Sequence, residues 1–239
     1  MGLSFKEKMK IFVGKCAQKV DPKHFKPIGF DKRKLLEILP VEPVIFDIGA
    51  NDGTDSIQFR KLFPKAIIHA FEPEPSNFKK LIRRTKGLGI QCHNIAFGTT
   101  DGKARFFVSS GTSTAASSSL RKPTGHLTLM PHIEFNDIIE VNVRRLESWA
   151  QENSINRVDF LWLDTQGTEL DILKNSGTVL QIVKAIHTEV SLVELYEGSP
   201  LYPEVKEFLL KNNFSVLEEI FYPESVGDVL FVKKDVDST

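Results

Sequence analysis

From residue 43 onward, short apolar runs alternate with segments whose apolar positions recur every three or four residues. Period two or a continuous apolar run marks a strand, and a period near 3.6 marks a helix. On this basis strands are predicted at 44–48, 66–71, 90–97, 103–110, 137–146, 158–163 and 182–190. Helices are predicted at 54–63, 76–84, 169–175 and 203–212, with a short one near 31–39. Two further strands, 214–222 and 228–234, follow the last helix and join through the turn "PESVG". Strands alternating with helices indicate a mostly parallel sheet covered on both faces, here with a hairpin at one edge.

Two segments stand outside this rhythm. In residues 4–20, Phe5, Met9, Phe12, Cys16 and Val20 recur at helical spacing, with lysines over much of the remainder. The favoured reading is a helix that packs one face on the domain or on a second subunit. The alternative is a basic helix lying on an anionic membrane. Residues 109–136, rich in Ser and Thr and holding two prolines, form a long stretch without periodicity, either a flexible excursion or a lid over a substrate. The organisation expected is an N-terminal helical appendage over 1–40 and one catalytic-sized domain over 41–235.

Composition narrows the classes. The chain has 239 residues, 31 basic and 31 acidic side chains, and so a formal net charge of zero. Such a balance supplies no field to steer nucleic acid, and none is expected as a partner. Its two cysteines form no CxxC pair, which fits a reducing cytoplasm rather than a disulfide framework. No apolar run reaches membrane-spanning length.

The chemistry concentrates in "PVIFDIGANDGTDSIQF", residues 43–59. Ligands of open parallel sheets bind beyond the carboxyl ends of the strands. Gly49 to Gly53 lie at such an end, and the following helix points its amides at the crevice. A dinucleotide fingerprint needs G-x-G-x-x-G, but here Asn51 replaces the middle glycine and the third is absent. The P-loop fails because no GK[ST] follows. Glu72 ends the second strand in "IIHAFEPEP", 23 residues after Gly49. An acid roughly 20 residues on can accept hydrogen bonds from both ribose hydroxyls. A nucleoside without a pyrophosphate therefore fits, and S-adenosylmethionine answers that description, with Asp47 supplying negative charge toward its cationic methionine end. The competing readings are a helix cap for Asp47 and a solvated loop acid for Glu72.

Five blocks, "VIFDIGANDGTDSIQF", "HAFEPEP", "NIAFG", "FLWLDTQGTELDIL" and "TEVSLVELYEGSPLYPEVKEFL", occur in the order and spacing of the FkbM-type family of S-adenosylmethionine-dependent methyltransferases. The chain resembles that family over roughly residues 43–233. The resemblance implies a Rossmann-like class I methyltransferase fold: a mostly parallel seven-stranded sheet, its last strand antiparallel, with helices on both faces. It also implies O-methylation of hydroxyls on sugars, glycans or natural products. By position, Asp47, Gly49, Asn51 and Gly53 match the cofactor loop and Glu72 the ribose acid, with Pro73 shaping the turn. Asn94, Ile95 and Ala96 match the strand end that flanks adenine, and Asp164 lies close to the methionine portion and the transferred methyl. Where the family often has Val-Glu-Gly, this chain has Thr165-Gln166-Gly167.

A hydroxyl acceptor loses a proton, so a base at a strand end is sought among Asp164, Glu169, His187 and Glu189. Glu189 is the first choice, and period two places His187 on the same side of its strand, where the two could pair. Asp164 and Glu189 could offer two carboxylates to a divalent cation, but no third ligand is evident and no metal is expected. Gln166, Glu169 and Tyr196 are candidates for acceptor contacts, as are His126, Met130 and His132 in the long loop. For Tyr196, packing on the sheet is the equal alternative. The acceptor expected is a small molecule or glycan. Competing functions are a nicotinamide-dependent oxidoreductase and a cofactor-binding protein without catalysis.

Overall fold

A computed structural model describes residues 30–111, 117–222 and 225–234. The expectations for residues 4–20 lie outside the described residues. The first strand of the main sheet, β1 (Val44–Ile48), is buried at all five positions, as a central parallel strand covered on both faces requires. Around it run β2 (Ile67–Phe71), β3 (Ile90–His93), β7 (Phe160–Leu163), β8 (Ala185–Ser191), β9 (Phe214–Tyr222) and β10 (Val226–Lys233). Their order is β3-β2-β1-β7-β8-β10-β9. β10 is antiparallel to both of its neighbours, and the remaining pairs are parallel. The sheet thus has seven strands with its last strand reversed.

One face is covered by Leu35 and by the helix Thr54–Leu62, whose Phe59 packs with Phe30, Ile45, Phe160 and Trp162. The other carries Leu146–Glu152, Glu169–Lys174, Thr178–Ile182 and Tyr202–Lys211, and a larger core that includes Phe46, Phe71 and Trp149. Trp149 meets the rings of Phe46, Phe71 and Phe97 edge-on at 5.6, 4.9 and 6.0 Å, a geometry that favours aromatic pairs.

Four predicted strands need correction. The run 90–97 is two strands in two sheets: β3 in the main sheet, then β4 (Ala96–Phe97) in a second. Asn94 causes the break, because its side-chain amide turns to donate to the carbonyls of Glu72 and Pro73 at 2.8 and 3.0 Å. The strands around the long loop, β5 (Gly102–Gly111) and β6 (Ile133–Arg144), join β4 in that three-stranded sheet, not the main one. The stretch predicted as a strand from 182 begins instead as a helix, Thr178–Ile182, and the strand starts at Ala185.

Register is what positions the site. Ile48 is level with Phe71 on one side and Leu163 on the other, and Leu163 is level with Thr188. The next residues are Glu72, Gly49, Asp164 and Glu189: three parallel strands end at that row, and β8 carries Glu189 there two residues before its own end at Ser191.

Candidate active site

The turn after β1 is built from backbone constraints. Gly49 has φ +91°, and a Cβ there would lie 1.9 Å from the Asp164 carbonyl oxygen. Glycine is thus required by the neighbouring strand end rather than by a ligand. Gly49→Ala is expected to cost about 3 kcal/mol, from the left-handed backbone and the overlap together, lowering the melting temperature by roughly 10 °C. A thermal melt beside wild type checks this, and an unchanged midpoint would refute the packing argument. Gly53, φ +84°, faces Leu81 of the helix Pro75–Thr85 and serves that packing.

Asn51, φ +48°, donates its N–H to Glu72 Oε2 at 2.8 Å, and Glu74 N–H donates to Glu72 Oε1 at 2.8 Å. Glu72 is thereby fixed with each oxygen holding one amide and keeping further acceptor capacity. Burial raises its pKa to about 7, against the lowering effect of those amides. Glu72, Gly49, Asn51, Pro73, Ile95, Ala96, Asp164 and Gln166 line one cleft beyond the strand ends. Asn94 does not line it; through its two hydrogen bonds it fastens the turn that presents Glu72. Sequence reasoning missed Phe97, Phe106 and Leu120, which give the cleft an apolar wall from the second sheet and the long loop.

Asp47 is fully buried and does not line the cleft. Ser56 Oγ donates to its Oδ2, while Oδ1 has no partner. Burial first, then the nearby Asp55 carboxylate, raise the Asp47 pKa to about 8. Asp164 is raised to about 7, chiefly by burial, with the amide of Gln166 opposing. Glu189 stands well above the ordinary range through burial and the fields of Asp164, Glu169 and Asp228.

Gln166 joins these acids. Its Nε2 donates to Asp164 Oδ1 at 2.8 Å and to Glu189 Oε2 at 2.7 Å. A tight turn aims it, with φ +58° at Gln166 and +99° at Gly167. Glu169 holds that turn: its carboxylate accepts from Thr165 N–H at 2.8 Å and from Gly167 N–H at 3.0 Å. Tyr196 is buried, 2% exposed, with its hydroxyl 2.8 Å from the Ser117 carbonyl and 2.9 Å from Gln166 Oε1.

His187 does not pair with Glu189, a correction to the sequence reading. It stacks on Trp162 at 3.6 Å, and its Nε2 lies 3.2 Å from Asp228 Oδ1 on β10. Burial lowers its pKa, and Asp228 partly offsets this. The hairpin strand β10 supplied a partner that the spacing within β8 could not reveal.

The described part of the long loop packs against the site. Ser119 Oγ donates to the Gln166 carbonyl at 2.7 Å. Arg121, which sequence reasoning did not single out, donates to the carbonyls of Glu197 and Gly198 at 3.0 and 2.7 Å and pairs with Asp171 at 2.6 Å. His126 sits against the Tyr196 ring at 5.4 Å.

Among the described residues, Asp47, Glu72, Asp164, Glu169 and Glu189 form no ion pair with a cation. Buried acids without a counter-charge suit a ligand that brings positive charge. No group of three or more His, Cys, Asp or Glu among the described residues could hold a metal ion.

The sequence model of the methyltransferase FkbM domain matches residues 47–216. The chain belongs to the FkbM methyltransferase family. It is 33% identical over 198 residues, 79% of each chain, to the 2-O-methyltransferase NoeI of Sinorhizobium fredii (strain NBRC 101917 / NGR234). It is 26% identical over 206 residues to methyltransferase sdnD of Sordaria araneosa, covering 76% of this chain and 77% of that one. Among solved structures, methyltransferase FkbM from Methylobacillus flagellatus KT superposes with a TM-score of 0.54 at 13% identity. That match spans 95% of this chain and 53% of the other, a likeness of fold. This FkbM methyltransferase uses S-adenosylmethionine as methyl donor. The chemistry of the cleft fits that cofactor: Glu72 has acceptor capacity for a ribose, and Ile95 and Phe97 offer an apolar seat.

The raised carboxylates give binding a pH dependence. Near pH 7, Asp47 and Asp164 carry protons for part of the time. A cationic ligand favours their ionised forms, so binding releases protons and affinity rises with pH up to about 8. Calorimetric titration at pH 7 in two buffers of different ionisation enthalpy is expected to show that release. It should be larger for S-adenosylmethionine than for S-adenosylhomocysteine, whose sulfur is neutral. Heats that do not depend on the buffer would contradict it.

Proposed function

We propose that this methyltransferase transfers its methyl group to a hydroxyl of a sugar, glycan or related small metabolite, with Glu189 as the base. The observation that carries the reading is the placement of Asp164 just after β7 and of Glu189 near the end of the adjacent β8, joined by Gln166 across 2.8 and 2.7 Å. Asp164 lines the cofactor cleft, and Glu189 lines the neighbouring cavity together with Tyr196. This neighbourhood supports Glu189 as proton acceptor, with the methionine end of the cofactor toward Asp164. NoeI, a 2-O-methyltransferase by name, supports oxygen as the acceptor atom.

The cofactor supplies a methyl group made electrophilic by positive sulfur. The chain's own residues orient the cofactor through Glu72 and the Asn51 turn, and hold Glu189 to take the hydroxyl proton. Glu189 suits that role because burial and neighbouring acids make it more basic than an ordinary carboxylate. Ser117 and Ser119 bond to Tyr196 and Gln166, and Ser118 and Leu120 line the cleft, so this stretch walls the site on one side.

The test is incubation with S-adenosylmethionine carrying a deuterated methyl group and a panel of mono- and oligosaccharides and small polyols. Mass spectrometry and NMR then locate the label. Label on a saccharide oxygen is expected. Label only on nitrogen or carbon acceptors would overturn the reading.

A further inference from the structure

The hydrogen bonds around Gln166 do not close in the arrangement described. A tyrosine hydroxyl has one proton, yet Tyr196 Oη faces two acceptors, the Ser117 carbonyl at 2.8 Å and Gln166 Oε1 at 2.9 Å. Meanwhile both N–H bonds of Gln166 are used, one on Asp164 and one on Glu189. Turning the amide by half a revolution reverses this balance without needing space, since amide oxygen and nitrogen are nearly the same size. Gln166 Nε2 then donates to Tyr196 Oη, whose own proton goes wholly to Ser117. Gln166 Oε1 then faces the two carboxyl groups, which is favourable only if at least one is protonated and donates to it. The first arrangement fits an acid pair with no proton, and the second fits a pair that has gained one.

We propose that Gln166 and Tyr196 are positioning residues that form a proton-responsive clamp on Glu189. The amide presents its N–H groups while Asp164 and Glu189 are ionised, and its carbonyl once Glu189 has taken a proton. The proposal rests on the reading of Glu189 as base. In the turned state the O–H of Glu189 donates to Gln166 Oε1, so the proton is held at a defined atom until the amide turns back. Tyr196 favours the turned state, because only there are both its hydrogen-bonding roles filled. The hydroxyl also ties the clamp to the long loop, through Ser117.

Other charges face this pair from every side. Glu169 stands on the following helix, Asp228 on β10 and Asp55 on the helix after β1. Lys32 pairs with Asp55 at 2.7 Å, and its charge reaches Asp228. These groups set where the pair titrates, while the amide and the hydroxyl report it.

The experiment is NMR of the full chain carrying ¹⁵N at its glutamine side-chain amides, followed from pH 5.5 to 9. The Gln166 signal is assigned by its loss in Gln166→Leu. In wild type that signal is expected to move through one titration step. Tyr196→Phe removes the group that favours the turned state and should lower the midpoint by about 0.5 to 1 pH unit, the equivalent of one hydrogen bond. In Glu189→Gln the step should vanish or move out of the range. A rise in melting temperature with S-adenosylhomocysteine confirms that each variant is folded. A Gln166 signal indifferent to pH, or a midpoint the same in Tyr196→Phe as in wild type, overturns the clamp. The two readings fail separately. A titrating amide in a chain that methylates no hydroxyl leaves the clamp standing and removes Glu189 as base. A pH-blind amide in an active O-methyltransferase does the reverse.

Discussion

Glu189→Gln is expected to lower turnover on a hydroxyl acceptor by about 10²- to 10⁴-fold, the usual contribution of a general base. Affinity for S-adenosylhomocysteine should stay within about threefold, because Glu189 does not line the cofactor cleft. Stability should move the other way. Glu189 is half-buried among Asp164, Glu169 and Asp228, so a neutral isostere relieves repulsion. A variant that melts higher than wild type yet turns over slowly is the signature of a carboxylate kept for chemistry. Initial rates with a saccharide identified by methyl labelling, together with a thermal melt, measure both. Undiminished turnover would remove Glu189 from the mechanism.

The second large effect is at Glu72. Replacing it with Ala deletes the acceptor for the N–H groups of Asn51 and Glu74 and leaves both amides without their partner. The left-handed backbone at Asn51 then loses the contact that holds it. Glu72→Ala is therefore expected to weaken binding of S-adenosylhomocysteine by 100-fold or about that, and to lower the melting temperature by several degrees. Glu72→Gln preserves shape but turns one acceptor oxygen into a donor facing an N–H, and should weaken binding by about 10- to 100-fold. Calorimetric titration separates the two. Equal affinity in all three proteins would mean that the ribose is held elsewhere.

Much of this architecture can be read from the sequence for a physical reason. A parallel strand buried on both faces must be a continuous apolar run, and "VIFDI" and "FLWL" are such runs. Asp47, in the middle of the first, is polar where the pattern demands an apolar residue, and it proved to be a fully buried acid. The helix Leu146–Glu152 does not stand out in the sequence: Leu146, Trp149 and Ala150 are its buried face, and seven residues give too few repeats. The break at Asn94 could not be seen, because it depends on carbonyls more than twenty residues earlier in the chain.

At the site, the acids at strand ends were legible because topology dictates where ligands bind. What they touch was not. Asp228 reaches His187 only through the antiparallel pairing of β10 with β8. Tyr196, expected either to meet a sugar or to pack, is buried with its hydroxyl turned to Gln166 and Ser117. Arg121 lies in a run with no periodicity, and its role appears only when the loop meets the carbonyls of Glu197 and Gly198.

The crystal structure of the chain grown with S-adenosylhomocysteine is the most direct test of where the cofactor lies. The ribose hydroxyls should be within hydrogen-bonding distance of Glu72, the adenine beside Ile95 and Phe97, and the sulfur at the end of the cleft occupied by Asp164 and Gln166. Density for the nucleoside on another surface, or in this cleft with its ribose turned away from Glu72, would contradict the assignment.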